Sequence, residues 1–462
     1  MSSPAWRRIA LTLVLLFGAA EAHNTLLPAG AVRYAPSGVP DRVVALPGED
    51  PSTALTIAWR TDASVATARL QIAVAGDAPD LADAAREVRA HSTSLETGNR
   101  AARHHHARVT GLQPGTLYAY RVQGQDTWSE WFHIRTAARE PEPFSFLYFG
   151  DAQNSVKSLY SRVIREAWRR APGAALMIHA GDLVSGRDQR DDDEWGEWFE
   201  AGSFLHATAL VVPAAGNHEH FEAGAGAAAR YVLSPHWAAQ FPVPRTGWAE
   251  LPHTTYSFDH QGVRFIVLDS TSAIDHGTAA GQAAWLEPLL ADNPNRWTVV
   301  AYHHPMFSAS LGRDNPSLRE HWLPLFERYG VDLVLQGHDH VYGRGAHLGE
   351  GAHADSAGAG PVYVVSVAGP KQYRLSPEAQ RAMDRDAENT QLYQVVHVSP
   401  ERLRYESRTA TGELYDAFEL VKDAAGRKRL VTAQDSLMAP RRCPHPRTPS
   451  GRTDRCWDGV EW

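Results

Sequence analysis

Five apolar runs in the middle of the chain each end at a short polar segment rich in glycine and histidine. The runs are 144–149, 175–180, 209–215, 297–302 and 331–335. Segments with the pattern of helices separate them, for example 155–170 and 317–329. Uninterrupted apolar strands that alternate with helices indicate a sheet buried on both faces. The sequence therefore predicts an α/β domain, which we place at residues 140–437.

The polar residues that follow these runs are the kind that bind metal ions. They are Asp151, Asp182, Asn217, His303, His338 and His340. The carboxyl ends of strands in an open α/β sheet line one crevice, so segments far apart in sequence can meet there. Carboxylate oxygen together with imidazole nitrogen favours transition metals, and one carboxylate can bridge two ions about 3.5–4 Å apart. We therefore predict a centre of two divalent or trivalent ions, with iron, manganese or zinc as the expected elements.

Residues 27–139 have the alternating apolar and polar pattern of an all-β domain. The strand around Trp59 and the turn-Thr-x-Tyr-x-Tyr segment at 114–120 resemble a fibronectin type III module. The run 104–106 consists of three histidines, which could bind metal, but we expect it to lie on an exposed loop. A charged, proline-rich linker at 139–143 separates this domain from the α/β domain.

The order of the polar segments carries a family resemblance. Along the chain they read Gly-Asp, Gly-Asp, Gly-Asn-His-Glu, His-x-Pro and Gly-His-x-His. This order resembles that of the calcineurin-like metallophosphoesterases, and the fibronectin-like module before it narrows the resemblance to the purple acid phosphatase branch. The resemblance extends from about residue 28 to about residue 420. It implies a sandwich of mixed β-sheets flanked by helices, preceded by an all-β sandwich.

The resemblance also implies which residue holds which ion. Asp182 would bridge the two ions. The other ligands would be Asp151 and His340 for the first ion, and Asn217, His303 and His338 for the second.

Three further residues are expected to contact the substrate. His218, directly after a ligand, would be the catalytic residue that assists the departing oxygen; the alternative is a purely structural histidine. Arg313 stands where plant purple acid phosphatases have two further histidines, and it would either bind phosphate oxygens or pair with Asp314 on the surface. His304 lies beside a ligand and is expected to reach the phosphate.

Two positions depart from the pattern of the purple enzymes. Ser185 replaces the tyrosine whose charge transfer to ferric iron gives those enzymes their colour, so we predict a colourless protein. Gln153 replaces a glycine or histidine. Its amide oxygen could be a further metal ligand, or the amide could only hydrogen-bond a metal-bound water.

The expected activity is hydrolysis of a small phosphomonoester, by attack of hydroxide held by the metals and without a covalent intermediate. The alternatives are a phosphodiesterase or nucleotide pyrophosphatase on the same core, because the loops over the metals decide the substrate. An alternative of another class is a catalytically inert extracellular binding protein.

The first residues predict export. Arg7 and Arg8 precede an apolar run at 9–20, which is too short to cross a membrane, and a small-x-small triplet follows at 20–22. We therefore interpret residues 1–22 as a cleaved signal peptide and expect a secreted or periplasmic protein. The alternative is a membrane anchor that stays attached.

The rest of the composition says little about partners. Loss of two arginines and one glutamate with the signal peptide changes the formal charge from −8 to −9. A mildly acidic chain gives no reason to expect a nucleic-acid or membrane partner, and the oligomeric state is not predicted. Cys443 and Cys456 lie in a tail at 438–462, where we expect a structural disulfide remote from the chemistry.

Overall fold

The computed structural model describes residues 24–27, 32–186, 192–224, 230–346, 360–432 and 438–459. The predicted signal peptide at 1–22 lies outside these ranges. Within them, no helix has the length and apolar character needed to span a membrane.

The N-terminal part of the chain is a sandwich of two four-stranded antiparallel sheets. Its strands are β1 Asp41–Pro47, β2 Leu55–Asp62, β3 Arg69–Val74, β4 Arg86–Arg89, β5 His91–Glu96, β6 Ala101–Val109, β7 Leu117–Val122 and β8 Phe132–Arg135, with one short helix, α1 Leu81–Ala84. One sheet has the order β1-β2-β6-β5 and the other β4-β3-β7-β8. The prediction of an all-β domain before the α/β domain is therefore confirmed.

The prediction for the three histidines was wrong. His104, His105 and His106 lie on β6, and the first two are buried. His105 hydrogen-bonds the hydroxyls of Thr61 and Ser92 at 2.8 and 2.7 Å. Histidine can belong to a buried strand when neighbouring hydroxyls satisfy its ring nitrogens, because a satisfied polar group loses little on burial.

The second domain is built on two seven-stranded mixed sheets. The first has the order β11-β10-β9-β22-β23-β24-β25. Its strands are β9 Phe144–Phe149, β10 Leu176–His179, β11 Leu210–Pro213, β22 Leu392–Val398, β23 Arg402–Thr409, β24 Leu414–Lys422 and β25 Lys428–Thr432. β9, β10 and β11 run parallel, whereas β22 is antiparallel to β9.

The second sheet has the order β14-β15-β16-β17-β19-β18-β21. Its strands are β14 Tyr256–His260, β15 Val263–Val267, β16 Trp297–Ala301, β17 Leu333–Gln336, β18 Tyr342–Ala346, β19 Val362–Val365 and β21 Arg385–Ala387. β15, β16, β17 and β19 run parallel. The two sheets face each other, and the rings of Phe146 and Phe265 meet edge to face with centroids 5.5 Å apart.

Helices cover the outer faces of this sandwich, as the alternating sequence pattern predicts. They are α2 Ser161–Arg170, α3 Asp193–Gly202, α4 Leu205–Thr208, α5 Pro235–Gln240, α6 Ser270–Asp275, α7 Ala279–Ala291, α8 Pro316–His321, α9 Leu323–Arg328 and α10 Pro377–Ala382. A π-helical turn, Val156–Tyr160, precedes α2, and a 3-10 turn, Asn217–Glu219, follows β11. On β15, Phe265 faces the opposite sheet and Ile266 faces the helices, so the strand is apolar on both sides.

Two small two-stranded sheets complete the domain. β12 His220–Ala223 pairs with β13 Arg230–Leu233, and β20 Gln372–Tyr373 pairs with β26 Arg455–Trp457 from the C-terminal tail. Cys443 and Cys456 form a disulfide that closes the tail into a loop.

A buried ion cluster joins the N-terminal sandwich to the second domain. Arg42 and Arg60 each donate to a different oxygen of Asp192 at 2.6 Å, and all three side chains are almost fully buried. Burial alone would raise the pKa of Asp192, but the two guanidinium groups hold it well below its usual range. Asp192 immediately precedes α3, so the cluster fixes that helix against the sandwich.

Candidate metal centre

The carboxyl ends of β9, β10, β11, β16 and β17 converge at one edge of the double sheet. The nearest ligand atoms of Asp151, Asp182 and His303 lie within 4.8 Å of one another. Asp182 Oδ2 is 3.2 Å from His303 Nε2, and Asp151 Oδ1 is 3.6 Å from His340 Nε2. Residues from four separate strand ends therefore share one buried space.

A second group of donor atoms adjoins the first. Asn217 Oδ1 lies 3.1 Å from His303 Nε2 and 2.9 Å from His338 Nδ1, and those two nitrogens are 3.1 Å apart. The six predicted ligands thus form two overlapping groups, which meet at Asp182 and His303.

Backbone carbonyls orient two of the imidazoles. His303 Nδ1 donates to the Ala180 carbonyl at 2.8 Å, and His340 Nδ1 donates to the Lys371 carbonyl at 3.0 Å. A proton held at Nδ1 leaves the Nε2 lone pair free to bind a metal, and both Nε2 atoms face the carboxylates.

The turns that carry these side chains are tight. Asp182, His338 and His340 have φ angles of 52°, 71° and 52°, in the left-handed region. A Cβ atom at Gly216 would lie 2.3 Å from Asp182 Oδ1, so only glycine fits beside that carboxylate. The glycines in the polar segments therefore allow the backbone to approach the centre closely.

Glu219 ties two of these turns together from behind. Its carboxylate accepts hydrogen bonds from the backbone nitrogens of Gly216, Asp182 and Leu183 at 2.7 to 2.9 Å. Burial, and then the neighbouring Asp182, raises the pKa of Glu219 above its ordinary value.

The electrostatics of the centre call for positive charge. Burial raises the pKa of Asp151, and its Oδ1 atom is buried without a hydrogen-bond partner among the described residues, as is Gln153 Oε1. Burial alone would lower the pKa of His303, but Asp182 and Asp151 outweigh it and raise that pKa. His303 Nε2 and Asn217 Oδ1 lie 3.1 Å apart, and a metal ion bound to both would take the place of the proton that the raised pKa favours on His303. The donor set fits two transition-metal ions.

His218 lies beside the bridging position. Its backbone nitrogen donates to Asp182 Oδ1 at 2.9 Å, and its ring Nδ1 donates to the Ser185 carbonyl at 2.7 Å. Its Nε2 atom is 3.9 Å from Asp182 Oδ2, and 14% of the side chain is exposed. The Nε2 atom therefore faces the centre from the solvent side.

The two departures from the purple pattern have clear positions. The Gln153 amide nitrogen donates to Asp182 Oδ2 at 2.7 Å and lies 3.2 Å from His340 Nε2. The NH2 group of the amide, and not its oxygen, therefore faces the centre. The Ser185 hydroxyl instead bonds Asn154 at 3.0 Å. Only the backbone carbonyl of Ser185 serves the centre, through His218.

The remaining predicted substrate contacts lie next to His338. The His304 ring packs at a tilt against the His338 ring with centroids 4.1 Å apart, and its Nδ1 is 3.1 Å from Ser270 Oγ. Arg313 donates to the His338 carbonyl and lies 3.5 Å from Asp339 Oδ1. The alternative pairing of Arg313 with Asp314 is wrong, because Asp314 pairs with Arg319 at 2.6 Å.

Sequence reasoning missed one side of the centre. Lys371 follows β19, a sixth apolar strand that ends beside the metal-binding turns, and Gly369 N bonds the Asp151 carbonyl at 2.6 Å. The disulfide-closed tail also reaches this side, because β26 pairs with β20 and Tyr373 N donates to the His340 carbonyl at 2.9 Å. We expected a disulfide away from the chemistry, and the sequence did not indicate that the tail it closes reaches this side of the centre. The segment Gly369-Pro370-Lys371, which follows an apolar run, could have indicated a sixth strand that ends at the centre.

Comparison with known families agrees with the two domains. The family model for the purple acid phosphatase N-terminal domain matches residues 40–136, and that for calcineurin-like phosphoesterases matches residues 144–342. Together these matches cover more than half of the chain. Residues 144–342 form a calcineurin-like phosphoesterase domain. The N-terminal domain and the relatives of the chain place it in the purple acid phosphatase-like branch.

Individual relatives are distant. An uncharacterised protein of Mycobacterium tuberculosis is 29% identical over 330 residues, covering 64% of this chain and 60% of its own length. An Fe(3+)-Zn(2+) purple acid phosphatase of Arabidopsis thaliana is 27% identical over 254 residues, covering 52% of each chain. The chain thus spans between about half and 60% of the length of these curated relatives.

A solved structure shows the same fold. The purple acid phosphatase PPD1 from yellow lupin (Lupinus luteus) superposes with a TM-score of 0.69 at 17% sequence identity, covering 84% of this chain and 75% of that one.

Proposed function

We propose that this chain is an exported phosphoesterase that uses two metal ions to hydrolyse small phosphomonoesters. One observation carries the proposal: two groups of metal-binding atoms at the ends of five strands meet at His303, whose Nε2 atom lies 3.2 Å from Asp182 Oδ2 and 3.1 Å from Asn217 Oδ1. A buried carboxylate is unfavourable without a partner charge, and two buried carboxylates, Asp151 and Asp182, lie side by side here.

The ligands divide as the two groups suggest. The carboxylate of Asp182 would bridge the ions. Asp151, His340 and the Gln153 amide surround the first position, and Asn217, His303 and His338 surround the second. Gln153 would become a ligand by turning its amide so that Oε1 faces the first ion; otherwise it supports Asp182 as a hydrogen-bond donor.

The bound ions would supply Lewis acidity for a phosphoryl group and a nucleophile at moderate pH. The chain's own residues orient the reactants and manage the protons. His218 donates its Nδ1 proton to the Ser185 carbonyl, so the ring would assist the departing oxygen in its doubly protonated form, by giving up the proton at Nε2. His304 packs on His338, on the side where we place the phosphate oxygens, and Arg313 donates to the His338 carbonyl at the edge of the same site.

Export and domain roles are part of the same proposal. The signal-like pattern at 1–22 and the disulfide between Cys443 and Cys456 both fit an oxidising compartment. We propose that the N-terminal sandwich is a rigid support, because the buried Arg42–Asp192–Arg60 cluster joins it to α3 of the catalytic domain.

The test combines metal analysis with kinetics. Purified protein would be analysed by elemental mass spectrometry and assayed with p-nitrophenyl phosphate, and with bis(p-nitrophenyl) phosphate as the diester, across iron, manganese and zinc. We expect two ions per chain and metal-dependent turnover that favours the monoester. Asp182→Asn should lower kcat/KM at least about 100-fold, whereas Asp423→Asn, an exposed carboxylate in a turn, should not.

Two results would contradict the proposal. A well-folded protein that binds no metal and hydrolyses neither ester would instead support an inert binding protein. Turnover that persists without metal, or in Asp182→Asn, would place the chemistry elsewhere in the chain.

A further inference from the structure

Three cationic side chains surround the ring of Tyr373. The guanidinium carbons of Arg313 and Arg455 each lie 4.8 Å from the ring centroid, and Lys371 Nζ lies 5.7 Å from it. They come from three distant segments: the loop after β16, the loop after β19 and the C-terminal tail. We call Arg313, Lys371 and Arg455 the basic cluster.

The basic cluster directly adjoins the metal centre. Tyr373 packs its ring on His340 with centroids 4.8 Å apart, and Arg313 donates to the His338 carbonyl. The Lys371 carbonyl accepts the hydrogen bond from His340 Nδ1 at 3.0 Å. A molecule whose phosphoryl group sits on the ions would therefore have these cations beside it.

Neighbouring carboxylates neutralise the cluster only in part. Asp339 lies 3.5 Å from Arg313, and Asp454 lies 3.9 Å from Arg455 while also bonding Arg452 at 2.9 Å. Among the described residues, no carboxylate lies within ion-pair distance of Lys371, and the buried Arg455 Nε makes no hydrogen bond. Like charges held this close repel each other, so the arrangement favours a bound anion.

The cations are also within reach of a ligand. The side chains of Arg313 and Arg455 are 26% and 19% exposed, and Lys371 is partly exposed. The tail strand β26 carries Arg455 to this position, and the disulfide between Cys443 and Cys456 closes the loop that precedes it.

We infer that the substrates of this site carry a second anionic group, which the basic cluster binds while the first phosphoryl group is hydrolysed. The inference deepens the proposed function and rests on it. The class of substrate is a small molecule with two phosphate groups, or with a phosphate and another anion, a few bonds apart. Arginine and lysine suit such a group because they present several N–H donors and a charge that is kept at neutral pH.

The first test compares matched substrates on the wild-type enzyme. Glucose 1,6-bisphosphate and glucose 6-phosphate share one skeleton and differ by one phosphate. We expect kcat/KM for the bisphosphate to exceed that for the monophosphate at least tenfold, mainly through a lower KM, well beyond the twofold that two equivalent phosphates would give. Equal values would overturn the inference and leave the proposed function intact. Failure to hydrolyse glucose 1,6-bisphosphate, glucose 6-phosphate and p-nitrophenyl phosphate would overturn both.

Single substitutions then locate the binding site. Arg313→Gln, Lys371→Gln and Arg455→Gln should each lower the ratio of the two kcat/KM values about three- to tenfold. Arg447→Gln, an exposed arginine of the same tail, should leave the ratio as in the wild type. If folded variants of all three residues keep the wild-type ratio, the cluster does not bind the second group and the inference fails. Elemental analysis of each variant checks that the metal content is retained.

Discussion

The carboxylate of Glu219 accepts a hydrogen bond from the backbone nitrogen of Asp182 at 2.9 Å. The same oxygen accepts from Gly216 N, and the other oxygen accepts from Leu183 N. One buried side chain therefore fixes the turns after β10 and β11, although it is not itself among the proposed ligands. The position of Asp182 depends on this support.

Glu219→Gln should weaken metal binding. The substitution replaces one acceptor oxygen with an amide group that cannot accept from the backbone, and a buried donor without a partner costs about 1–3 kcal/mol. We expect metal content to fall and kcat/KM to drop roughly 10- to 100-fold, as for other groups that orient ligands. Elemental mass spectrometry and steady-state kinetics measure both. Glu222→Gln, exposed on β12, is the control, and full metal content in Glu219→Gln would contradict the prediction.

Asp192→Asn should destabilise the protein strongly. It removes the shared charge between two buried arginines, and breaking a buried ion pair on one side costs about 3–5 kcal/mol. The midpoint of chemical denaturation should fall accordingly. Glu87→Gln, which breaks the exposed pair with Arg69, should change the stability by less than about 1 kcal/mol. Equal effects of the two substitutions would show that the buried cluster does not hold the domains together.

Stability should fall as the pH drops from about 6.5 towards about 4. Burial lowers the pKa of His105 and of His260 to about 4 in the folded protein, whereas an unfolded chain has a histidine pKa near 6.5. Between these values the unfolded chain binds more protons, so each histidine removes up to about 3 kcal/mol of folding free energy, and nothing further below pH 4.

Thermal unfolding midpoints between pH 7.5 and pH 4 measure this dependence. His260→Phe keeps an aromatic ring against Phe144. In this variant the unfolding midpoint should fall less with decreasing pH, because one of the two histidines no longer binds a proton on unfolding. An unchanged slope in that variant would show that His260 does not contribute.

Loss of the disulfide should open the tail and spare the metal centre. Replacing Cys443 and Cys456 with serine removes a loop constraint of roughly 3 kcal/mol, and none of the proposed ligands lies in the tail. We expect rapid limited proteolysis within residues 438–459 at unchanged metal content, monitored by mass spectrometry. Wild-type protein with and without reductant is the control. A tail that resists protease as in the wild type would contradict the prediction.

The sequence predicted the features that follow from local pattern. Apolar runs that end in Gly-Asp or Gly-His predicted the strands, and the rule that strand ends share a crevice predicted which side chains meet. For this reason Asp151 and His340 are far apart along the chain, yet Asp151 Oδ1 and His340 Nε2 lie 3.6 Å apart in space. The α/β fold class is confirmed because it depends on this pattern.

What the sequence did not reveal depends on contacts between segments with no pattern of their own. Nothing in the sequence pairs Asp192 with Arg42 or Arg60, and only the folded sandwich brings those two arginines to it. Arg455 lies in a tail without periodicity, and only the pairing of β26 with β20 places it at the centre. The buried histidines of β6 were missed because their partners come from neighbouring strands.

The left-handed backbone at Asp182, His338 and His340 lowers the stability of the protein at three positions that the proposed activity requires. A non-glycine residue in that conformation costs on the order of 1–3 kcal/mol, so the three together take up a sizeable part of the net stability of a typical protein. Mutation of such a position to glycine would relieve this strain while it removes a ligand. A homologue that has lost the reaction and carries glycine at these positions would therefore have a higher free energy of unfolding. Selection for the chemistry alone would keep the three ligands in place.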